Sequence, residues 1–119
     1  MAVEAKSVSA SRLVLAQVMT PQDANVYGNV HGGNIMRLAD TAAGVVAIRH
    51  SERNCVTASV DRFDFHVPVY VGNLVTLFAS LSRVGRTSME VGVRVEAEDL
   101  GTGRKTTGRP QFGIYSNLA

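Results

Sequence analysis

Asp40 is the residue whose setting calls for a chemical explanation. It lies in the segment 34–50, where Ile35, Met36, Leu38, Ala39, Ala42, Ala43, Val45, Val46, Ala47 and Ile48 leave few polar neighbours. A carboxylate among such residues is costly unless it is paired or faces a cavity. Two roles meet that condition. A structural acid would bond to a neighbouring strand or pair with Arg37 or Arg49. A working acid would act as general base or nucleophile at a cleft beside the helix. The residues ahead of it favour the second role. His31-Gly32-Gly33 places backbone without side chains at a helix start, where unpaired N–H groups and the helix dipole favour negative charge. Paired glycines let a ligand carbonyl approach closely. In acyl transfer that oxygen becomes an oxyanion, and donors of this kind are worth roughly 3–4 kcal/mol each. Read as turn chemistry alone, the same glycines only carry a loop into a helix. Asn25 is the third candidate. In its ordinary use it makes a turn; otherwise it is an uncharged amide able to orient a water or polarise a carbonyl. Spacing along the chain leaves both open.

The elements that must hold these residues are legible in outline. Residues 34–50 contain no proline and a single internal glycine, Gly44, and read as the only long helix. Being apolar nearly all round, it is expected to be buried nearly all round. Residues 12–19 read as a strand and 20–33 as a long loop dense in turn formers, of a length usual for functional or disordered segments. After the turn 51–54 the period changes from helical to two. Residues 55–67 are strand-like, with a change of face between Val60 and Phe63 that predicts a bulge near Asp61-Arg62. Residues 74–84 form the next strand, and Gly85-Arg86-Thr87 turns it back. Met89, Val91, Val93, Val95 and Ala97 then alternate with Glu90, Gly92, Arg94, Glu96 and Glu98, one face packed and one wet. Asp99-Leu100-Gly101-Thr102-Gly103 is a hairpin turn, and 104–116 a final strand. The expected order is strand, loop, helix, then four strands in antiparallel succession. A helix without a polar side requires a sheet wrapped around it. That architecture is α+β: a long central helix wrapped by a five-stranded antiparallel sheet, the hotdog fold. Residues 1–10 are small and polar and expected to fray, leaving 11–119 as one domain.

Composition narrows the partners. At 119 residues, 45% hydrophobic and 18% charged, the chain has the make-up of a globular domain, neither disordered nor membrane-spanning. The net charge of +2 is spread singly, densest at Gly103-Arg104-Lys105, without the aromatic platform or basic stripe of a nucleic-acid binder. A weak positive bias does help an anionic ligand find its site. The one cysteine, Cys55, excludes an internal disulfide framework. The longest apolar stretch near the N-terminus, 13–16, is too short for a secretory signal, and no segment approaches the ~20 apolar residues of a membrane helix. The expectation is a cytoplasmic protein without nucleic-acid or membrane partners.

The stretch Asp23-Ala24-Asn25-Val26-Tyr27-Gly28-Asn29-Val30-His31-Gly32-Gly33-Asn34-Ile35-Met36-Arg37-Leu38-Ala39-Asp40 resembles the acyl-CoA hydrolase branch of the hotdog thioesterases, which includes the cytosolic acyl-CoA thioester hydrolases. That family's pattern is an asparagine, a few residues, glycine, a variable pair, His or Phe, Gly-Gly, then an acid seven residues on. Phe65-His66-Val67-Pro68-Val69-Tyr70-Val71-Gly72-Asn73 and Val84-Gly85-Arg86-Thr87-Ser88-Met89-Glu90-Val91 look like its later motifs, so the likeness runs from about residue 13 to 100. The resemblance implies hydrolysis of fatty acyl-CoA to free acid and CoA, with no cofactor beyond the CoA of substrate and product. Position by position, it implies that Asp40 is the catalytic acid. It implies that Asn25 completes the site from the other subunit of a homodimer. His31, Gly32 and Gly33 would form the carbonyl-binding helix entry, the Gly33 amide holding the thioester oxygen. Gly85, Arg86, Thr87 and Ser88 would lie along the CoA arm, with Arg86 on a phosphate. It further implies a hexamer built as a trimer of dimers. The C-terminal part departs from the family: Thr107-Gly108-Arg109-Pro110-Gln111 interrupts the last strand, and Pro110 predicts a bulge or an edge position.

Other residues fit bland roles. His31, His50 and His66 lack metal-ligand spacing, so no metal is expected. Cys55 lacks an evident histidine partner and reads as a structural thiol; Ser88 lacks a nucleophile elbow. Phe63 and Phe65 read as core or as acyl-tunnel lining. Two rival functions stand beside hydrolysis. A hydratase or dehydratase acting on a thioester-linked chain would generally pair its acid with a histidine, and this helix offers Asp40 without an adjacent one. A non-catalytic acyl-CoA-binding module would not need Asp40.

Overall fold

Alternation along one strand organises the core. The computed structural model describes residues 10–62, 68–108 and 111–116. Its elements in chain order are β1 (Leu13–Val18), α1 (Gly32–Ser51), β2 (Cys55–Arg62), β3 (Leu74–Val84), β4 (Ser88–Glu98), β5 (Lys105–Gly108) and β6 (Gln111–Ser116). In β4 the predicted inward set Met89, Val91, Val93, Val95 and Ala97 is buried throughout. It meets Val75, Leu77, Ala79 and Leu81 of β3 in direct antiparallel register, and both rows face α1. The opposite face carries solvated pairs, with Glu96 between Arg94 and Lys105 and the Arg94 guanidinium 4.1 Å above the Phe78 ring.

The sheet is antiparallel in the order β1-β3-β4-β6-β2, with β5 also beside β4. This corrects the expected succession: β2 does not pair with β3, which follows it, but crosses to the far edge beside β6. The bulge predicted near Asp61 is found as a register shift between Val60 and Arg62, and a second shift lies between Thr57 and Ser59. Phe63, Phe65, His66 and the end of the predicted strand 55–67 lie outside the described residues. At the C-terminal side, the last strand runs as two segments, β5 and β6, in one register on β4, since Gly92↔Gln111 and Val95↔Gly108 share one offset; the bulge or edge position predicted at Pro110 lies outside the described residues. The expected five strand positions are thus filled, the last by two segments. The Asp99 turn closes as predicted: Asp99 Oδ1 accepts the N–H groups of Gly101 and Thr102, and Gly103 adopts φ 74°.

The helix differs from expectation in one respect that matters for the site. Ile35, Leu38, Ala39, Ala42, Ala43, Val46 and Ala47 form a buried stripe at helical spacing, rich in alanine and so able to lie flat on the sheet. Met36, Arg37, Thr41, Ile48 and Arg49 are exposed on the other side. The sheet wraps the buried side of α1, with β1, β2, β3, β4 and β6 all packed against it, and leaves the opposite side uncovered. Apolar composition predicted burial, but Met36 and Ile48 face outward and leave an open face containing Asp40's flank. The helix also begins two residues earlier than predicted, taking Gly32 and Gly33 into its first turn, and ends at Glu52 in the left-handed region.

Candidate active site

The loop ahead of the helix is a fastened structure. Thr20 N–H and Oγ1–H both donate to Asp23 Oδ2, at 2.8 and 3.0 Å, closing a 3-10 turn over Pro21–Asp23. The Asp23 carbonyl then accepts from His31 N–H and Asn34 Nδ2–H, each at 3.0 Å, tying the loop to the first turn of α1. Between these ties the chain forms a miniature hairpin, Ala24 bridging Val30, with Gly28 at φ 83° where a side chain would be strained. Its outer strand is bonded to residues 69–71, Val30 N–H to Val69 O and Val71 N–H to Gly28 O. Asp23 and Asn34 are positioning residues that sequence reading missed. The Thr20-Pro21-Gln22-Asp23 spacing, that of a capping box, was the available signal.

Asn25 stands exposed within this hairpin and performs the turn-making role its type suggests. Its Oδ1 accepts Tyr27 N–H at 2.9 Å and Asn29 N–H at 3.2 Å. Two backbone donors fix the amide's orientation, so Nδ2 is the end that can serve a ligand. Asn25 can therefore donate to a carbonyl oxygen, but its own oxygen is committed to the loop.

At the helix start, His31, Gly32 and Gly33 are exposed, and no side chain caps this end among the described residues. Neither glycine has a positive φ, and a Cβ at either position would meet no described atom within 4 Å. Backbone strain and internal packing therefore give no reason for glycine here. The space left open lies outside the chain, in front of first-turn N–H groups that lack helical acceptors. Asp40 is half-buried on α1, beside exposed Arg37 and Thr41, so it is not walled off from solvent.

The Asp23 carbonyl ties the Asn25 hairpin to the first turn of α1, which holds Gly33, whereas Asp40 lies further along the same helix. Seven residues of helix rise place Asp40 about 10 Å beyond Gly33. A reacting carbon must come within ~3–3.5 Å of its nucleophile. A carbonyl held at the Gly33 amide lies on the N-terminal side of that amide, so Asp40 of the same chain falls well short even though its side chain leans that way. The Gly85-to-Ser88 turn is further removed. It closes through Gly85 N–H to Ser88 O at 2.7 Å, and a Cβ on Gly85 would stand 3.0 Å from Ser88 Oγ, a tight contact that a small shift of the hydroxyl would relieve. β3 separates this turn from residues 69–73, which flank the Asn25 hairpin, by roughly 33 Å. A cavity of about 240 Å³ near Tyr70, Asn73 and Arg104 includes none of the predicted site residues.

Remaining candidates keep modest places. His50 Nδ1 lies 3.5 Å from Ser11 Oγ, and Cys55 Sγ lies 3.3 Å from Ser51 Oγ and donates to Arg53 O. No metal-binding cluster exists among the described residues, and none of their helices is long and apolar enough to cross a membrane.

Comparison with known proteins gives this geometry a context. A family model described as thioesterase superfamily matches residues 27–103. The chain is 40% identical over 92 residues to protein VdlD of Helicobacter pylori, covering 77% of this chain and 53% of that one. It is 40% identical over 95 residues to the human cytosolic acyl coenzyme A thioester hydrolase, covering 80% of this chain and 25% of the relative. The chain thus spans about half the length of the first relative and a quarter of the second. Among solved structures, an apo-hexameric acyl-CoA thioesterase superposes with a TM-score of 0.91 at 32% identity, over 98% of this chain and 75% of that one. An acyl-CoA hydrolase from Staphylococcus aureus, in complex with butyryl coenzyme A and coenzyme A, superposes with a TM-score of 0.87 at 29% identity over 95% and 70%. Structures of that hydrolase also include variants with an aspartate, an asparagine or a threonine replaced by alanine. These likenesses carry the hotdog fold.

Proposed function

The chain belongs to the thioesterase superfamily, and from that premise we propose that it hydrolyses the thioester of fatty acyl-CoA to free acid and CoA. The observation that carries this reading is the open helix entry: adjacent glycines whose missing side chains neither φ nor packing accounts for, in front of unsatisfied N–H donors. A thioester carbonyl fits that space. Its oxygen would rest on the Gly33 amide, with Asn25 Nδ2–H as a second donor from the hairpin tied to the same turn. As the carbon becomes tetrahedral its oxygen gains negative charge, and fixed donors stabilise that charge without reorganising.

The attacking group then has to come from elsewhere, and the helix rise says from where. Asp40 of the same chain lies about 10 Å beyond Gly33 along α1, so the acid would be supplied by a second copy whose helix lies alongside. Each site of the dimer would combine Asn25 and Gly33 of one subunit with Asp40 of the other. Asp40 either deprotonates water or attacks the carbonyl directly. The Gly85-to-Ser88 turn, more distant still within one chain, would reach the CoA arm across subunits, Arg86 meeting a phosphate. The spacing in the Staphylococcus aureus hydrolase supports these assignments. Its substituted asparagine and aspartate stand fifteen positions apart, as Asn25 and Asp40 do, and its threonine stands seventeen beyond the aspartate, where this chain has Thr57. Thr57 sits in β2 immediately before a register shift, and we add it to the site. The hexameric relative supports assembly of such dimers into a hexamer, and the cytosolic relative supports a cytoplasmic location.

Thiol release measured against a series of acyl-CoAs tests the reading. Free CoA should appear with the wild-type chain and fall to background with Asp40→Asn. Binding of acyl-CoA without any release of thiol would instead identify a binding module.

A further inference from the structure

One glycine of the helix has no local reason to be there. Gly44 lies in the interior of α1, where glycine destabilises a helix relative to alanine. Its φ is not positive, and a Cβ built on it would meet no described atom within 4 Å beyond its own turn. The alanines that pack the helix on the sheet, Ala39, Ala42, Ala43 and Ala47, are fully buried, whereas Gly44 is half-exposed and belongs to the other side. Neither strain nor the core accounts for it.

Its position does. Gly44 follows Asp40 by four residues and so lies one turn on along the same face. Side chains on a helix lean toward its N-terminus and cover the turn before their own Cα. A side chain at 44 would therefore cover the surface beside Asp40. The next residue along this row, Ile48, is apolar and 46% exposed, and Met36, one turn before Asp40, is 37% exposed. The row thus reads apolar, acid, gap, apolar, and the distance from Asp40 to Ile48 is about 12 Å.

We infer that Gly44 is a specificity-determining position: its absent side chain leaves a lane along which the acyl chain of the substrate runs from the carbonyl at Asp40 toward Ile48. The inference rests on the hydrolase reading proposed above. A short acyl group ends before the lane, whereas a long one must lie in it. The composition of the row supplies the occupant, since an extended hydrocarbon leaving a carbonyl at Asp40 meets first an open surface and then an apolar side chain.

The test is the ratio of kcat/KM for decanoyl-CoA to that for acetyl-CoA in Gly44→Ala, Gly44→Val and Ile48→Asn. Gly44→Val should lower the ratio at least about tenfold, the scale on which pockets discriminate methylene groups. Gly44→Ala should lower it less while raising the thermal midpoint, and Ile48→Asn should lower it by removing an apolar contact. Equal effects on both substrates would overturn the inference. So would a Gly44→Ala chain that melts earlier or changes its oligomeric mass, because the glycine would then belong to a packing contact. Should the wild type hydrolyse no acyl-CoA, the hydrolase reading itself fails; an active wild type whose ratio does not respond to these substitutions removes only the lane.

Discussion

Asn25 shows how one hydrogen-bond inventory narrows a role. With Oδ1 held by Tyr27 and Asn29, the side chain is left with only its Nδ2–H groups to offer, which in the proposed site would donate to the oxygen that gains charge. In the same proposal Gly33 would meet that oxygen through its backbone, which makes its role testable by removing the N–H. Gly33→Pro keeps a first-turn conformation that proline tolerates and should lower kcat by about 10²–10³-fold, read by steady-state thiol release, with the circular dichroism spectrum unchanged. For Asp40, single-turnover hydrolysis in heavy-oxygen water separates its two chemistries. Label found in the Asp40 side chain establishes a covalent route; label confined to the released acid supports water attack.

At the scale of elements, the site depends on a loop held by few bonds. Asp23 is buried and serves both the Thr20 turn and, through its carbonyl, the helix start. Asp23→Ala removes the side-chain half of that arrangement. It should lower stability by about 1 kcal/mol, the typical cost of a lost cap, measured by urea denaturation. Activity should fall further than stability does, because Asn25 and Gly33 are aligned by the same ties. The β3–β4 pair is a different kind of element, a packed double row beneath the helix. Leu77 is fully buried there, and Leu77→Ala should cost about 2–5 kcal/mol with kcat of the remaining folded fraction little changed. A loop substitution that spared activity, or a core substitution that selectively removed it, would reverse this division of labour.

Across the whole molecule, the separation of Gly33 from Asp40 along one helix turns catalysis into a question of assembly. Mixed variants distinguish which residues share a chain's end. Asn25→Ala mixed with Asp40→Ala should regain activity, because a hybrid dimer assembles one intact site. Gly33→Pro mixed with Asp40→Ala should do likewise. Asn25→Ala mixed with Gly33→Pro should not, since both lesions then fall in the same half of every site. Thiol release after subunit exchange reads all three pairings. Recovery in the third mixture, or none in the first two, would contradict the shared site.

Local periodicity made much of the fold legible. The alternation in β4, the Asp99 turn, the bulge near Asp61 and the long helix each follow from interactions between residues near in sequence, and they stand as expected. The candidate residues Asn25, Gly33 and Asp40 stood out by type, while their joint roles came only from the resemblance to a known family. Tertiary structure decided the rest. Strand order placed β2 beside β6 because the chain pairs by what is brought near, a long-range property that no window of sequence contains. Packing against one sheet face chose which side of an almost wholly apolar helix would be covered, leaving Met36, Gly44 and Ile48 outward. Non-local bonds from the Asp23 carbonyl fastened Asn25 to the helix start. Once the helix forms, its fixed rise separates Gly33 from Asp40, so residues that read as one motif along the chain stand too far apart to act together on one bound carbonyl.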